Sequence, residues 1–317
     1  MEQALQAIRE VPAPFRTDSL ETDDWRVAAC AVAGPGHHAR GLGCDDSFAW
    51  QTHGQWLVAC VSDGAGSAPH GAIGARIGAR TVCDVAALLL PDDLATPDDQ
   101  AAVEQAIAIG VGAARAAVER DARDRGAHLR QYHATLVGIV AKGTEALLFH
   151  IGDGAGMAFG RAAGDGATAT LSPPENGEFS NQTTFFTLPR WRDYLRFTST
   201  GGFDMAALMT DGVTPFALDR GEQRPVAGFV DPICATLDKV AAPIGALALH
   251  ALLDRPDVRA ACDDDKTILW LARIGAAPVE ADPSAAAPAR RPKIDAVTYV
   301  LHRRRRCRRA RRAASCG

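Results

Sequence analysis

The sequence has no long apolar run near its start: Met1 to Pro14 carries Glu2, Arg9 and Glu10 instead. With neither a secretory signal nor a membrane span to read, a cytoplasmic address is expected. There is no C-x-x-C pair either, because Cys30, Cys44, Cys60, Cys83, Cys234, Cys262, Cys307 and Cys316 are scattered. That removes the spacing behind zinc sites and redox motifs, and most of these residues read as small buried apolar side chains. Internal repeats are absent. Charge of one sign is scarce overall, at −4, but the average hides two regions. From Glu280 onward there are 11 Lys and Arg against 3 Asp and Glu, leaving 23 against 35 before it. An acidic body excludes a main surface built for nucleic acid, whereas acidic side chains gathered in one place can serve cations.

What is present is enough apolar sequence, 47% of 317 residues, to bury a large core. Apolar runs bounded by Gly, Asp or polar residues predict strands at about Trp25–Ala33, Ser47–Thr52, Trp56–Ser62, Ala134–Ala141, Ala146–Ile151 and Gly156–Gly160. Further strands are expected at Thr183–Leu188, Leu195–Thr200, Met205–Thr210 and Thr267–Ala272. Two long Ala-rich segments have helical spacing, Gly71–Leu90 and Asp98–Arg125, the second capped by Asp98 or Asp99. Shorter helices are expected near Pro232–Val240 and Ile244–Leu253. Strands grouped apart from paired helices lack the regular alternation of a doubly wound sheet, so the predicted class is α+β with antiparallel sheets covered by helices. Past Arg273, Gly275–Arg290 reads as an Ala/Pro linker, and Arg303–Arg312 holds eight Arg in ten positions.

Chemistry concentrates in aspartates that sit where an apolar strand meets a turn. They are Asp46 after Asp45, Asp63 before Gly64, Asp211 before Gly212, Asp264 between Asp263 and Asp265, and Asp153 between Gly152 and Gly154. One Asp-Gly by itself starts a turn and nothing more. Five such residues, each bordering a strand and partly dry, would repel one another on converging unless a cation neutralised them. Hard oxygen ligands select Mg²⁺, Mn²⁺ or Ca²⁺. The Gly after Asp also lets the backbone come close enough to offer a carbonyl oxygen.

In order and wording these segments resemble the protein phosphatase 2C family, the metal-dependent Ser/Thr phosphatases, over about Trp25 to Ala272. Family segments of the form E-D, D-G-x-G-G, T-T, G-D-S, S-D-G and D-N-x-T are similar to Asp45-Asp46, Asp63-Gly64-Ala65-Gly66-Ser67, Ala134-Thr135, Gly152-Asp153-Gly154, Thr210-Asp211-Gly212 and Asp264-Asp265-Lys266-Thr267. A bacterial branch is closer still: its Gly-x-x-His approach to a Cys-Gln-Asp segment resembles Gly34-Pro35-Gly36-His37 leading to Cys44-Asp45-Asp46. Its Asn-Gln-Thr-Thr segment resembles Asn181-Gln182-Thr183-Thr184.

The resemblance implies a four-layer α-β-β-α sandwich with two central antiparallel sheets. It implies a catalytic domain at residues 25–274, with 1–24 an N-terminal extension and 275–317 a linker and tail. It further implies two Mg²⁺ or Mn²⁺ ions, bridged by Asp63, with Asp211 and Asp264 completing one and the Gly64 carbonyl serving the other. Asp45 and Asp46 would hold the surrounding waters, and Asp153 with Asp211 a third, weaker ion. Such a site uses an activated water for in-line attack on a phosphoserine or phosphothreonine ester. The partner is then a phosphorylated protein, the target of a Ser/Thr kinase.

Some positions depart from the family pattern. Ala65 stands where many members have a histidine able to protonate the leaving oxygen. Asp45 is one methylene shorter than the usual Glu. Arg40 lies six residues before Asp46 where five is usual, which leaves His37, His38 and Arg40 as candidates for gripping phosphate, His37 first. These departures motivate an alternative, a binding or regulatory module with a decayed site. His70, the Asn181-Gln182 segment, and Trp191 with Arg190 and Arg192 are weighed between roles at the site and ordinary surface or turn positions. The Arg-rich tail is the one candidate contact for nucleic acid, anionic lipid or an acidic protein.

Overall fold

The computed structural model describes residues 13–91, 100–160, 169–175, 183–219 and 224–274. Their order is β1 (Phe15–Glu21), β2 (Trp25–Val32), α1 (Pro35–Ala39), β3 (Ser47–His53), β4 (Trp56–Ser62), α2 (Gly71–Leu89) and α3 (Gln100–Asp124). There follow β5 (Leu136–Lys142), β6 (Glu145–Ile151), β7 (Ala155–Phe159), β8 (Thr170–Ser172), β9 (Arg196–Gly201), β10 (Met205–Met209), α4 (Thr214–Ala217), α5 (Ala227–Leu237), α6 (Ala242–Leu253), α7 (Pro256–Ala261) and β11 (Lys266–Arg273). The strands form two antiparallel sheets, β1-β2-β11-β10-β7-β8 and β3-β4-β5-β6-β9.

Alternation along the central strands explains the layering. In β2, Val27, Ala29 and Ala31 face the other sheet, while Ala28, Cys30 and Val32 face α5 and α6. In β4, Leu57, Ala59 and Val61 point between the sheets, and Trp56, Val58 and Cys60 meet α2 and α3. Period-two side chains buried on both faces require a covering layer on each side. Three apolar interfaces therefore separate four layers, α-β-β-α, and the α+β class expected from the sequence is the one found.

By length and composition α3 is also apolar enough to cross a bilayer. Its Val103, Ile107, Val111 and Val118 are instead buried in the layer shared with α2, and burying each stabilises the fold by roughly 1.5–3 kcal/mol. Asp98 and Asp99, expected as its caps, lie outside the described residues, as do Cys307, Cys316 and the Arg303–Arg312 run.

Three differences from the sequence reading have physical causes. Phe15–Glu21, set aside as part of an extension, pairs with β2 from Phe15↔Val32 to Glu21↔Arg26. Its polar, largely exposed residues carry no apolar signal because it is an edge strand. Thr183–Leu188 is a turn and not a strand: the consecutive residues Phe186 and Thr187 are both driven inside, Phe186 with its ring against Gly78 of α2, and the backbone makes single bonds and no ladder, Leu188 N–H to Phe185 O and Phe186 N–H to Ala134 O. The helix expected near Pro232–Val240 is α5, which begins at Ala227, five residues before Pro232, whose lost N–H does not stop it, and ends at Leu237.

Candidate active site

Six aspartates come from the ends of five strands to one end of the sandwich. Asp63 leaves β4, Asp153 sits on the β6–β7 turn, Asp211 follows β10, Asp264 precedes β11, and Asp45 and Asp46 precede β3. One carboxylate oxygen each from Asp63, Asp153 and Asp211 lies within 4.8 Å of the other two. Asp264 is near enough to act on both Asp63 and Asp211 electrostatically, and Asp46 is the first such neighbour of Asp63.

Each position is fixed by local backbone. Thr135 clamps the Asp63 turn, its Oγ1 accepting from Asp63 N at 3.0 Å and its own N–H donating to Asp63 O at 2.9 Å. Gly64 cannot carry a side chain, since a Cβ would stand 2.4 Å from Gly71 C and 2.6 Å from Asp45 O. That close approach brings the start of α2 against the carboxylate loop. Gly152, at φ 122°, takes a conformation open to glycine and so turns Asp153 inward. Gly212 lets the turn after β10 lie on the backbone before β11, where a Cβ would meet Asp265 O at 1.8 Å.

Asp46 is buried and accepts from Thr210 Oγ1 at 2.7 Å, while the same hydroxyl oxygen accepts from Thr267 N at 3.0 Å. Asp153 Oδ2 accepts from Thr183 Oγ1 at 2.7 Å. Its Oδ1 is buried with no hydrogen-bond partner. Lys266 does not neutralise the cluster: fully buried, it gives its Nζ to Asp264 O at 2.6 Å and Cys262 O at 2.9 Å.

Burial and mutual repulsion push these acids upward. Asp63 is raised well above the carboxylate range by burial first, then by Asp46, Asp211 and Asp264. Asp211 is raised to about 7 by burial, then by Asp264 and Asp153. Asp46 goes well above its ordinary value through burial, then Asp265; Asp45 and Asp264 rise for the same first reason. Carboxylates held this close and this dry form a site for cationic charge.

Asp265 was missed as a functional position. Only 4% exposed, it accepts from Gly34 N and Asp45 N, both at 2.6 Å, and engages His37 Nδ1 at 2.9 and 3.0 Å. One carboxylate thus ties the α1 turn and the Asp45–Asp46 loop to the start of β11. The available signal was the acid itself, standing where the D-N-x-T segment has an amide.

His37 has its other nitrogen, Nε2, 3.9 Å from Asp45 Oδ2. Arg40 turns back, its Nε donating to Gly36 O at 3.0 Å, and His38 is exposed. His70 packs on Tyr132 with ring centroids 4.8 Å apart. Trp191 is buried in the α2–α3 layer with Arg192 over its ring at 4.3 Å, so it offers no binding edge. Asn181 and Gln182 lie outside the described residues.

A four-layer sandwich with carboxylates gathered from its strand ends defines a hydrolytic enzyme of the protein phosphatase class. The chain belongs to the protein phosphatase 2C family, whose pattern it matches over residues 33–254. It is 28% identical over 260 residues to Serine/threonine-protein phosphatase 3 of Escherichia coli (strain K12), across 78% of this chain and 98% of that relative. Among solved structures it is similar to serine-threonine phosphatase 2C from Toxoplasma gondii, with a TM-score of 0.53 and 12% identity over 83% of this chain and 100% of that one. PppA, a key regulatory component of T6SS in Pseudomonas aeruginosa, superposes with a TM-score of 0.50 and 16% identity, covering 81% of this chain and 100% of its own.

Proposed function

We propose that the protein hydrolyses phosphoserine and phosphothreonine esters in proteins, opposing a Ser/Thr kinase, with two divalent cations held by Asp63, the Gly64 carbonyl, Asp211 and Asp264. The observation that carries this reading is the meeting of Asp63, Asp153 and Asp211 oxygens within 4.8 Å, from three separate turns. The donor set fits a hard cation: all are oxygens, Asp153 Oδ1 is buried without a partner, and the buried Lys266 bonds backbone carbonyls and favours the charged form of Asp264 alone among these acids. Asp153 and Asp211 are the pair suited to a third, weaker ion.

Bound there, Mg²⁺ or Mn²⁺ supplies a water of lowered pKa and positive charge against the phosphoryl oxygens. The chain's own part is geometric. Asp63 has both Asp46 and Asp211 as close electrostatic neighbours, and Asp46, fixed by Thr210, would offer an acceptor to hold a water of the site. Asp45 and His37 form the rim, His37 with Nε2 on the open side and Nδ1 anchored to Asp265. Ala65 carries no proton donor, so the proton for the leaving alkoxide comes from solvent at the cleft.

Turnover of p-nitrophenyl phosphate and of a phosphothreonine peptide with Mn²⁺ or Mg²⁺ is expected to collapse in Asp63→Asn and Asp211→Asn. Equal rates in wild type and variants would sink the reading. A second reading, a phosphatase-like binding module, is favoured by Ala65 and by Arg40 bonding to Gly36 O. It predicts weak or absent Mn²⁺ binding by calorimetry, and tight binding with turnover rules it out. We also propose that the catalytic unit runs from β1 to β11 and excludes residues 275–317.

A further inference from the structure

A second cleft opens at one edge of the sandwich, away from the carboxylates. It has a volume of about 420 Å³ and is lined by Arg16, Asp18 and Ser19 of β1, by Ser47–Trp50 of β3, and by Arg76 and Arg80 of α2. Both β1 and β3 end their sheets, and β3 pairs only with β4 among the described residues. The floor is the start of β3, where Ser47, Phe48 and Ala49 are buried. Their backbone is already engaged, since Arg16 Nη1 donates to Phe48 O at 3.2 Å and Cys83 Sγ to Ala49 O at 3.4 Å, so the charged rim is what the cleft offers a ligand.

Three of the four charged side chains lining the cleft are arginines, on a body whose sequence before Glu280 is acidic. Arg76 and Arg80, one turn apart on α2, are both exposed. All three arginines are engaged in the free protein: Arg16 lies 3.2 Å from Asp18 and over the Phe48 ring, Arg80 lies 2.8 Å from Asp84, and Arg76 has a partner of its own. The two ion pairs are exposed, so exchanging either for a ligand carboxylate costs little. The cleft also leads to the active site on both walls. β3 starts at Ser47, the residue after Asp46, and α2 starts at Gly71, which abuts Gly64.

We propose that this cleft docks an acidic, extended stretch of the phosphoprotein substrate. The stretch lies along the cleft, with its carboxylates on Arg16, Arg76 and Arg80 and its phosphorylated residue at the Asp63 cluster. Charge-assisted hydrogen bonds from the arginines supply the affinity and select for acid. The inference rests on the phosphatase reading and adds a substrate class to it.

The test compares phosphothreonine peptides of equal length carrying Glu-rich, neutral or Lys-rich flanks on either side, for wild type and Arg76→Glu/Arg80→Glu. A Glu-rich flank on one side is expected to raise kcat/KM about tenfold over neutral, mainly through KM, with the gain fading in added salt. The double variant loses the gain, while p-nitrophenyl phosphate turnover stays as in wild type; Arg76→Gln/Arg80→Gln replaces it if thermal melting shows misfolding. Absence of acid preference, or a preference that survives in the variant, overturns docking alone. Competition by free glutamate or inorganic phosphate as strong as by an unphosphorylated acidic peptide also overturns it, leaving a simple anion site. Failure to turn over any substrate overturns the phosphatase reading with it.

Discussion

Asp265 does at the residue scale what no single motif announces. Its two oxygens take N–H donors from Gly34 and Asp45 and meet the His37 ring, partners 220 to 231 positions away in the chain. An amide has one acceptor oxygen, so Asp265→Asn sets an NH₂ group against at least one of these donors. Leaving a buried donor unpaired costs about 1–3 kcal/mol. Urea unfolding should show a loss of that size. Because the Asp45 loop then shifts beside Asp46, kcat should fall about tenfold while Asp63-dependent metal binding, read by calorimetry, changes little. Unchanged kcat would separate Asp265 from catalysis. Thr183→Val tests a second contact of this kind: it removes the donor to Asp153 Oδ2 with little change in volume. The expected outcome is a several-fold change in the Mn²⁺ concentration needed for half-maximal turnover, with kcat at saturating metal nearly unchanged.

Turns and strand ends are the elements that make the site, and the close approach at Gly212 is the most exacting of them. A methyl there would stand 1.8 Å from Asp265 O, forcing the turn after β10 away from the chain entering β11. Those two segments carry Asp211 and Asp264. Gly212→Ala should cost on the order of 3 kcal/mol in unfolding free energy and abolish most turnover, because overpacking backbone against backbone has no side chain to yield. A variant with wild-type stability and kcat would show that the two segments need not touch. Strand ends were also what the sequence made legible. Asp63, Asp211 and Asp264 stood out because each borders a buried apolar run, and seven of the eleven strands have both faces covered or nearly so. Elements without such runs were not legible: β1 is polar and exposed, and β8 has three residues. Thr183–Leu188 misled for the opposite reason, since Phe185 and Phe186 look like a strand interior while only the second is fully buried. Within the site, the acids could be read but not their clamps. Thr210 and Asp265 act through contacts between the sheets, and Thr135 through a contact between neighbouring strand ends 72 positions apart, none of which one-dimensional spacing contains.

For the whole molecule, the same repulsion that prepares the site opposes folding when no cation is bound. Asp63, Asp46, Asp211, Asp264 and Asp45 all have raised affinities for protons in the folded protein, Asp211 up to about 7 from 3.8. The folded state therefore holds protons that the unfolded chain releases above about pH 4. Stability contributed by these groups is fully present below 3.8 and is lost as pH rises through the folded values. In EDTA the melting temperature should fall between pH 5 and pH 7.5, in contrast to a protein whose acids are salt-bridged. Added Mg²⁺ or Mn²⁺ binds the folded state alone and should restore about 2.7 kcal/mol at a hundredfold excess over Kd. The restoration should be larger at pH 7.5 than at pH 5, where protons compete for the same oxygens. With the catalytic unit ending at β11, as proposed, truncation after Ile274 should leave the pH and metal responses as they are in the full chain. Scanning calorimetry of full-length and truncated protein, with and without metal at both pH values, checks all of these at once. A melting temperature in EDTA that stays level or climbs over that window would mean the carboxylates are not the strained cluster described, and the cation would have no repulsion to relieve.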